Sequence, residues 1–320
     1  MKEPWIAFEG LGIVLEDVQK GFDITIHWYG VLIAIGFLLA VILGLRACKK
    51  FGLSQDDVLT YILIAIPAAV VGARLYFVAF KWEVYANNLK EIFNIRNGGL
   101  AIYGGIIAAL LATAIATKVR KQSFLNLMDF AMPYVLIGQA IGRWGNFINQ
   151  EAYGKVTTLP WGMTGSGIPE GSVHPYFFYE SMWCLFVFGL IMLYRSKWWK
   201  NTGELACLYF AGYGVGRSIF EYIRGDDALL IGNQRVSFWL SIALVLVFGG
   251  AFVYLRFIKK GEGVKVGDAA AVLLEQKTKE EAAKALLAVA TAEEAKALLE
   301  TLTAEEAEEE EEEESTSDTE

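Results

Sequence analysis

Arg143, Asn146 and Glu151 fall within nine residues of "GRWGNFINQEAYG", the stretch from Gly142 to Gly154 at the end of an apolar run. A guanidinium offers a planar fork of donors matched to phosphate oxygens, and an asparagine beside it adds a neutral hydrogen-bonding group. A second arginine, Arg217, stands four residues before Glu221 in "GYGVGRSIFEYIR", so the two share one helical face. Tyr29 in "HWYG", Tyr103 in "GGLAIYGG" and Tyr213 in "GYGVG" supply hydroxyls, and the glycines around them let helices and loops approach closely. Two arginines with Asn and Tyr companions suit a phosphate. At membrane depth an ionisable side chain costs about 2.5–3.5 kcal/mol on insertion scales, and it is retained where it pairs or works. The ligand that fits both facts is a phospholipid headgroup at the membrane surface.

The elements that must carry these residues are membrane spans. Of 320 residues 55% are hydrophobic and 13% aromatic, and the mean hydropathy is +0.39, which is too apolar for an ordinary soluble domain. Seven apolar segments, roughly 27–45, 57–80, 99–117, 127–142, 176–194, 203–220 and 237–257, are long enough or nearly so to cross about 30 Å of hydrocarbon. The fourth is short and carries Pro133, Gly138 and Gln139. The fold class expected is all-α, a polytopic membrane protein, with no cleavable signal peptide in residues 1–26.

Charge sets the expected orientation. The links "RACKK", "KVRK", "RSKWWK" and "RFIKK" hold twelve basic residues, against about nine in the much longer segments on the other side. The positive-inside rule then puts the N-terminus outside and the C-terminus in the cytoplasm, with "GRWGNFINQEAYG" on the outer side as the fourth span leaves the membrane. Trp28, Trp82, Trp198 and Trp199 at span ends fit an interfacial belt.

The formal charge of −8 averages two unlike parts: residues 1–261 sum to +6 and residues 262–320 to −14. We expect a transmembrane domain over 1–261 and a cytoplasmic tail over 262–320. In the tail "EEAAKALLAVATAEEAKALLE" reads as a helical hairpin or docking helix, and "EEAEEEEEEE" as disordered. Cys48, Cys184 and Cys207 lack metal or CxxC spacing and read as small buried hydrophobes. His27 and His174 read as anchors of interfacial turns, and no metal or other cofactor is expected. The absence of a P-loop, HExxH, CxxC or GxSxG argues against nucleotide hydrolysis, zinc proteolysis and serine hydrolysis. A multi-span lipid or solute transporter is the alternative, but residues 22–140 and 141–260 show no convincing repeat of each other.

On these residues the sequence resembles the prolipoprotein diacylglyceryl transferase family of bacterial membrane enzymes. "GRWGNFINQEAYG" looks like the family signature. "FDITIHWYG", "GARLYFV", "NGGLAIYGG", "HPYFFYE" and "GYGVGRSIFEYIR" match further blocks in order across about residues 22–260. The acidic tail lies outside the resemblance. What it implies is transfer of diacylglyceryl from phosphatidylglycerol to the lipobox cysteine of prolipoproteins in the bacterial cell membrane, with membrane lipids and lipobox peptides as partners and no nucleic acid. Arg143, Asn146 and Gly154 match phosphatidylglycerol-contacting or essential positions of the family, and Glu151 matches a family acid. Tyr29, Arg217 and Glu221 match further residues on which the family relies, and Tyr213 is a weaker match. The chain departs from many members at Tyr103, where the best-known ones have histidine and others tyrosine, and at Phe238, where many have glutamine.

The chemistry so implied uses the substrate's own thiol as nucleophile on the glyceryl carbon bearing the phosphate, forming a thioether and releasing glycerol 1-phosphate. The protein must deprotonate a thiol of pKa about 8.5 and stabilise a growing phosphate charge. Arg143 and Arg217 suit the second task; Tyr103, Glu151 and Glu221 are the candidates for the first, Tyr103 ahead of Glu151. Glu221 also reads as a structural partner of Arg217 or Arg224, Asn146 as a turn former, and Tyr29 and Tyr213 as interfacial aromatics.

Overall fold

The computed structural model describes residues 5–15, 28–86, 88–95, 98–168, 171–225, 230–231, 234–259, 279, 281 and 284. The chain divides between Ala270 and Ala271 into two units, and only Lys279, Glu281 and Lys284 of the second are among the described residues. His27, the acidic run and all of the expected tail helix but Glu281 and Lys284 therefore lie outside them.

The first unit is a helical membrane protein. Its helices are α1 (Trp28–Ala47), α2 (Gln55–Phe80), the single turn α3 (Trp82–Tyr85), α4 (Ile102–Val119), α5 (Phe124–Asn149), α6 (Tyr176–Lys197), α7 (Glu204–Phe220) and α8 (Val236–Val253), the last continued by a π-helical turn over Tyr254–Ile258. Six of these are long and apolar enough to cross a membrane. The seventh candidate, α7, has 17 residues and is about 26 Å long at 1.5 Å per residue. All three cysteines are buried thiols, as expected.

Two expectations change. The fourth helix is not short: α5 runs 26 residues from a Ser123 cap, with Pro133 buried inside it. Neighbouring helices re-satisfy the backbone around a proline at membrane depth, so Pro133, Gly138 and Gln139 did not mark an end. Arg143 and Asn146 consequently sit on the last two turns of a helix rather than beyond it. Trp199, assigned to the interfacial belt, is instead 3% exposed in the main apolar cluster with Phe51 and Leu205, its indole N–H donating to Asn201 O at 3.0 Å.

Small residues decide how closely the helices pack. A Cβ on Gly72 of α2 would stand 2.2 Å from Ala108 Cβ of α4, and one on Gly104 would stand 2.4 Å from Gly72 O. The α2–α4 pair thus meets on a small-residue seam, the form of helix contact that works where lipid offers no hydrophobic drive. α5 is the hub, packed against α1, α6 and α7. Its Asp129, fully buried, accepts from Gly203 N at 2.6 Å and Ala206 N at 2.8 Å and so caps α7 from a different helix. Ser54 and Asp57 form a reciprocal capping box at the start of α2, and Asp57 also holds Arg120.

A small sheet, unforeseen from the sequence, covers one end of the bundle. β1 (Ile6–Phe8) pairs antiparallel with β2 (Ile13–Leu15) and with β3 (Thr164–Gly165). Ile6 packs with Phe147 at the end of α5 and Phe177 at the start of α6. A second ribbon pairs β4 (Leu230–Ile231) with β5 (Gln234–Arg235) ahead of α8.

Arg74 organises the connection into α4. Buried on α2, it donates from Nε to Ile92 O at 2.8 Å, from Nη1 to Gly98 O and Gly99 O at 2.9 Å each, and from Nη2 to Glu91 O at 2.6 Å and Asn94 O at 3.0 Å. Five N–H donors meet five carbonyls. We expect Arg74→Ala to cost roughly 3 kcal/mol or more, because several buried carbonyls lose a charged donor. The check is faster protease cleavage between Leu89 and Ala101 and a lower Tm in detergent, with Arg74→Lys restoring only part of the loss.

Candidate active site

The polar residues gather at one end of the bundle because every helix that carries one presents that same end. They come from the starts of α1, α4, α6 and α8 and from the ends of α5 and α7. At the centre is Glu180 of α6, 6% exposed. Its Oε2 lies 2.8 Å from Arg143 Nε, and its Oε1 lies 3.3 Å from Arg217 Nη1 and accepts the Tyr176 hydroxyl at 3.0 Å. Arg217 continues the chain of charge: Nε lies 3.1 Å from Glu221 Oε2, one turn on along the helix. Glu221 Oε1 then takes Arg235 Nη1 at 3.3 Å and the Ser237 hydroxyl at 2.6 Å.

Three arginines therefore alternate with two buried carboxylates. Among them Arg143 is the one whose terminal nitrogens meet no partner among the described residues, so an anionic ligand would find its donors there. The arginines differ in how fully they are used. Arg217 is gripped by both carboxylates and Tyr176, with a side chain 14% exposed. Arg143, at 27%, touches the protein's polar groups through Nε alone, out of line for a hydrogen bond, and its two terminal nitrogens have no partner among the described residues. It presents the open half of its fork.

The other candidates fall into place around this chain. Tyr213 stands one turn before Arg217 on α7, and Tyr103 opens α4 at the same end of the bundle. Tyr103 is 57% exposed. Tyr29 packs its ring into the notch at Gly145, where an added Cβ would stand 2.3 Å from Tyr29 Cδ2. Asn146 does not face Arg143's ion pair: its amide donates to Glu151 Oε1 at 3.0 Å, joined by Asn149 at 3.4 Å, so the two asparagines orient Glu151 at the exposed helix end. Glu221 pairs with Arg217 and Arg235; the expected partner Arg224 contributes its carbonyl to Arg235 instead.

Gly154 serves backbone proximity. Its N–H donates to His174 O at 3.0 Å, Lys155 N to Ile223 O at 2.7 Å, and an added Cβ would meet His174 Cβ at 2.6 Å. This crossing of three segments ties the α5–α6 connection to the chain after α7. Burial pushes the His174 imidazole below its ordinary range, and the neutral ring can accept the Tyr179 hydroxyl at Nδ1, 3.3 Å away. His174 thus ties the α5–α6 connection to the first turn of α6.

Sequence reasoning missed Glu180, Tyr176, Arg235 and Ser237. Glu180 was detectable, being an acid in the aromatic run "HPYFFYESMW", four residues after Tyr176. Arg235 and Ser237 carry no such signal, since they reach Glu221 only through the fold of the α7–α8 connection.

The prolipoprotein diacylglyceryl transferase family model matches residues 18–254. The chain belongs to the prolipoprotein diacylglyceryl transferase family. Among its relatives, the phosphatidylglycerol–prolipoprotein diacylglyceryl transferase of Clostridioides difficile (strain 630) is 42% identical over 241 residues, covering 75% of this chain and 94% of the relative. The enzyme of the same name from Finegoldia magna is 42% identical over 239 residues, covering 75% and 94%. That of Streptococcus equi subsp. zooepidemicus (strain MGCS10565) is 41% identical over 244 residues, covering 74% and 93%. Membership makes this chain a multi-pass membrane transferase, and every element of the charged chain from Arg143 to Ser237 lies inside the family match.

Proposed function

We propose that this transferase catalyses the first step of bacterial lipoprotein maturation in the plasma membrane, moving diacylglyceryl from phosphatidylglycerol to the lipobox cysteine of a prolipoprotein. The observation that carries the proposal to these residues is Arg143, fixed through Nε at 2.8 Å from Glu180 while its terminal nitrogens meet no partner among the described residues. A phosphodiester at that fork would give those donors an anionic partner. The family names of the relatives support the substrates.

We further propose seven spans, with α7 as the short one, an outer N-terminus and a cytoplasmic C-terminus. The twelve basic residues of four links support this orientation, and it sets the Arg143 cluster at the outer leaflet.

In the reaction the thiolate sulfur attacks the glyceryl carbon bearing the phosphate, the C–S bond forms as the C–O bond breaks, and the electron pair leaves on glycerol 1-phosphate. Arg143 binds phosphate oxygens directly and strengthens as their charge grows, which is the condition for catalysis rather than mere binding. Arg217, held by Glu180 and Glu221, fixes the carboxylate on which Arg143 rests and adds its field. Glu221 is buried and ion-paired to Arg217 and Arg235, with Oε1 also taking the Ser237 hydroxyl, so it is a poor candidate to take the thiol's proton. Tyr103, exposed at the start of α4, and Glu151, with no partner for Oε2 among the described residues, remain the candidate bases.

The test is purified protein with phosphatidylglycerol and a lipobox peptide, followed by the peptide's mass gain and release of glycerol phosphate; absence of both sinks the proposal. Tyr103→Phe is expected to lower the rate about a hundredfold and to shift its pH profile, the usual scale of a lost general base. Parent activity in that variant would transfer the role to Glu151.

A further inference from the structure

The polar face of the site continues one helical turn deeper than its arginines. On α5 Gln139 precedes Arg143 by four residues, and on α7 Tyr209 and Tyr213 precede Arg217 at the same spacing. Gln139 and Tyr209 are hydrogen-bonded, Nε2 to hydroxyl, at 3.0 Å. The Tyr209 ring stacks on Tyr213 at 6.4 Å and 18°, and Tyr213 lies within electrostatic reach of Arg143 and Glu180. Gln139 Oε1 is buried without a hydrogen-bond partner among the described residues. The Tyr209 hydroxyl can donate as well as accept. Half a turn of the amide therefore keeps that contact with roles exchanged and points two N–H donors into the unfilled position.

We propose that Gln139, supported by Tyr209 and Tyr213, forms a subsite for an ester carbonyl on the glycerol backbone of the lipid substrate. The proposal rests on the transferase function and outer-leaflet placement above. An ester carbonyl is an acceptor without a donor, which matches the unpartnered N–H pair at that buried position. Four residues along α5 correspond to about 6 Å, directed inward from Arg143. In an outer-leaflet lipid the ester carbonyls likewise lie inward of the phosphate, the nearer one five bonds from the phosphorus. An ether oxygen in that place accepts hydrogen bonds weakly and lacks the projecting carbonyl. The competing explanation is an interhelical hydrogen bond that merely joins α5 to α7.

The two are separated by substrate choice. Membrane-reconstituted protein is assayed with a lipobox peptide and either diester or diether phosphatidylglycerol of equal chain length. We expect the parent to prefer the diester by about tenfold, the worth of one well-made hydrogen bond. In Gln139→Leu and Tyr209→Phe the ratio falls to near one. Tyr209→Phe keeps the ring, so it carries the test if the Gln139 variant does not fold. A parent that uses both lipids alike, or variants that are slower yet keep the parent ratio, would overturn the subsite while leaving the transferase function intact. A parent that transfers from neither lipid overturns that function and the subsite with it.

Discussion

Arg143→Ala is expected to reduce diacylglyceryl transfer by a factor of a thousand or more while the protein still folds and inserts. Removing one preorganised donor from a developing anion costs about 10²–10³ in rate, and Arg143 would provide two donors and a full charge. Folding should survive because Glu180 keeps Arg217 at 3.3 Å and the Tyr176 hydroxyl at 3.0 Å after Arg143 is gone. Arg143→Lys should recover only a minor part, since a point charge on a flexible stem can neither fork onto two oxygens nor rest on Glu180 through an Nε. The assay is the peptide mass shift, with Tm and detergent chromatography as controls. Transfer by Arg143→Ala at the parent rate would remove the phosphate role from this residue.

The second large effect concerns Glu180, which touches no substrate in this scheme. Glu180→Gln preserves shape but takes a buried carboxylate from between two guanidinium groups, and breaking a buried pair on one side costs about 3–5 kcal/mol. Tm should fall by many degrees, and transfer by at least a hundredfold, because Arg143 loses the contact that aims it. The distinguishing measurement is the split between constants: at temperatures where the variant is fully folded, kcat should drop and KM for phosphatidylglycerol should rise together. A variant that is less stable yet kinetically normal when folded would reduce Glu180 to a structural strut.

Much of this arrangement was legible in the sequence. Hydropathy located each long helix, and Arg217 with Glu221 at four-residue spacing made the ion pair found at 3.1 Å. The limits of α5 were misjudged because proline and glycine were weighed as they act in water, whereas Pro133 is buried in an uninterrupted helix. Glu180 was passed over for the opposite reason: its motif was noticed as a whole and its one acid was not singled out. Residue type pointed Asn146 toward the ligand; what the sequence did not show is that its amide also holds Glu151, just past the end of the same helix, at 3.0 Å. The β1–β3 sheet was invisible because its strands are two or three residues long and pair across more than 150 positions of chain.

The grip of Arg74 bears on how this protein can vary between species. Every acceptor it uses is a main-chain carbonyl, so the identity of the side chains at Glu91, Ile92 and Asn94 does not enter the contact. Gly98 and Gly99 are different, with φ of +82° and +78° that other residues rarely adopt. What inheritance must preserve in this connection is one arginine, two glycines and a path; the remaining letters are free to drift without moving Tyr103.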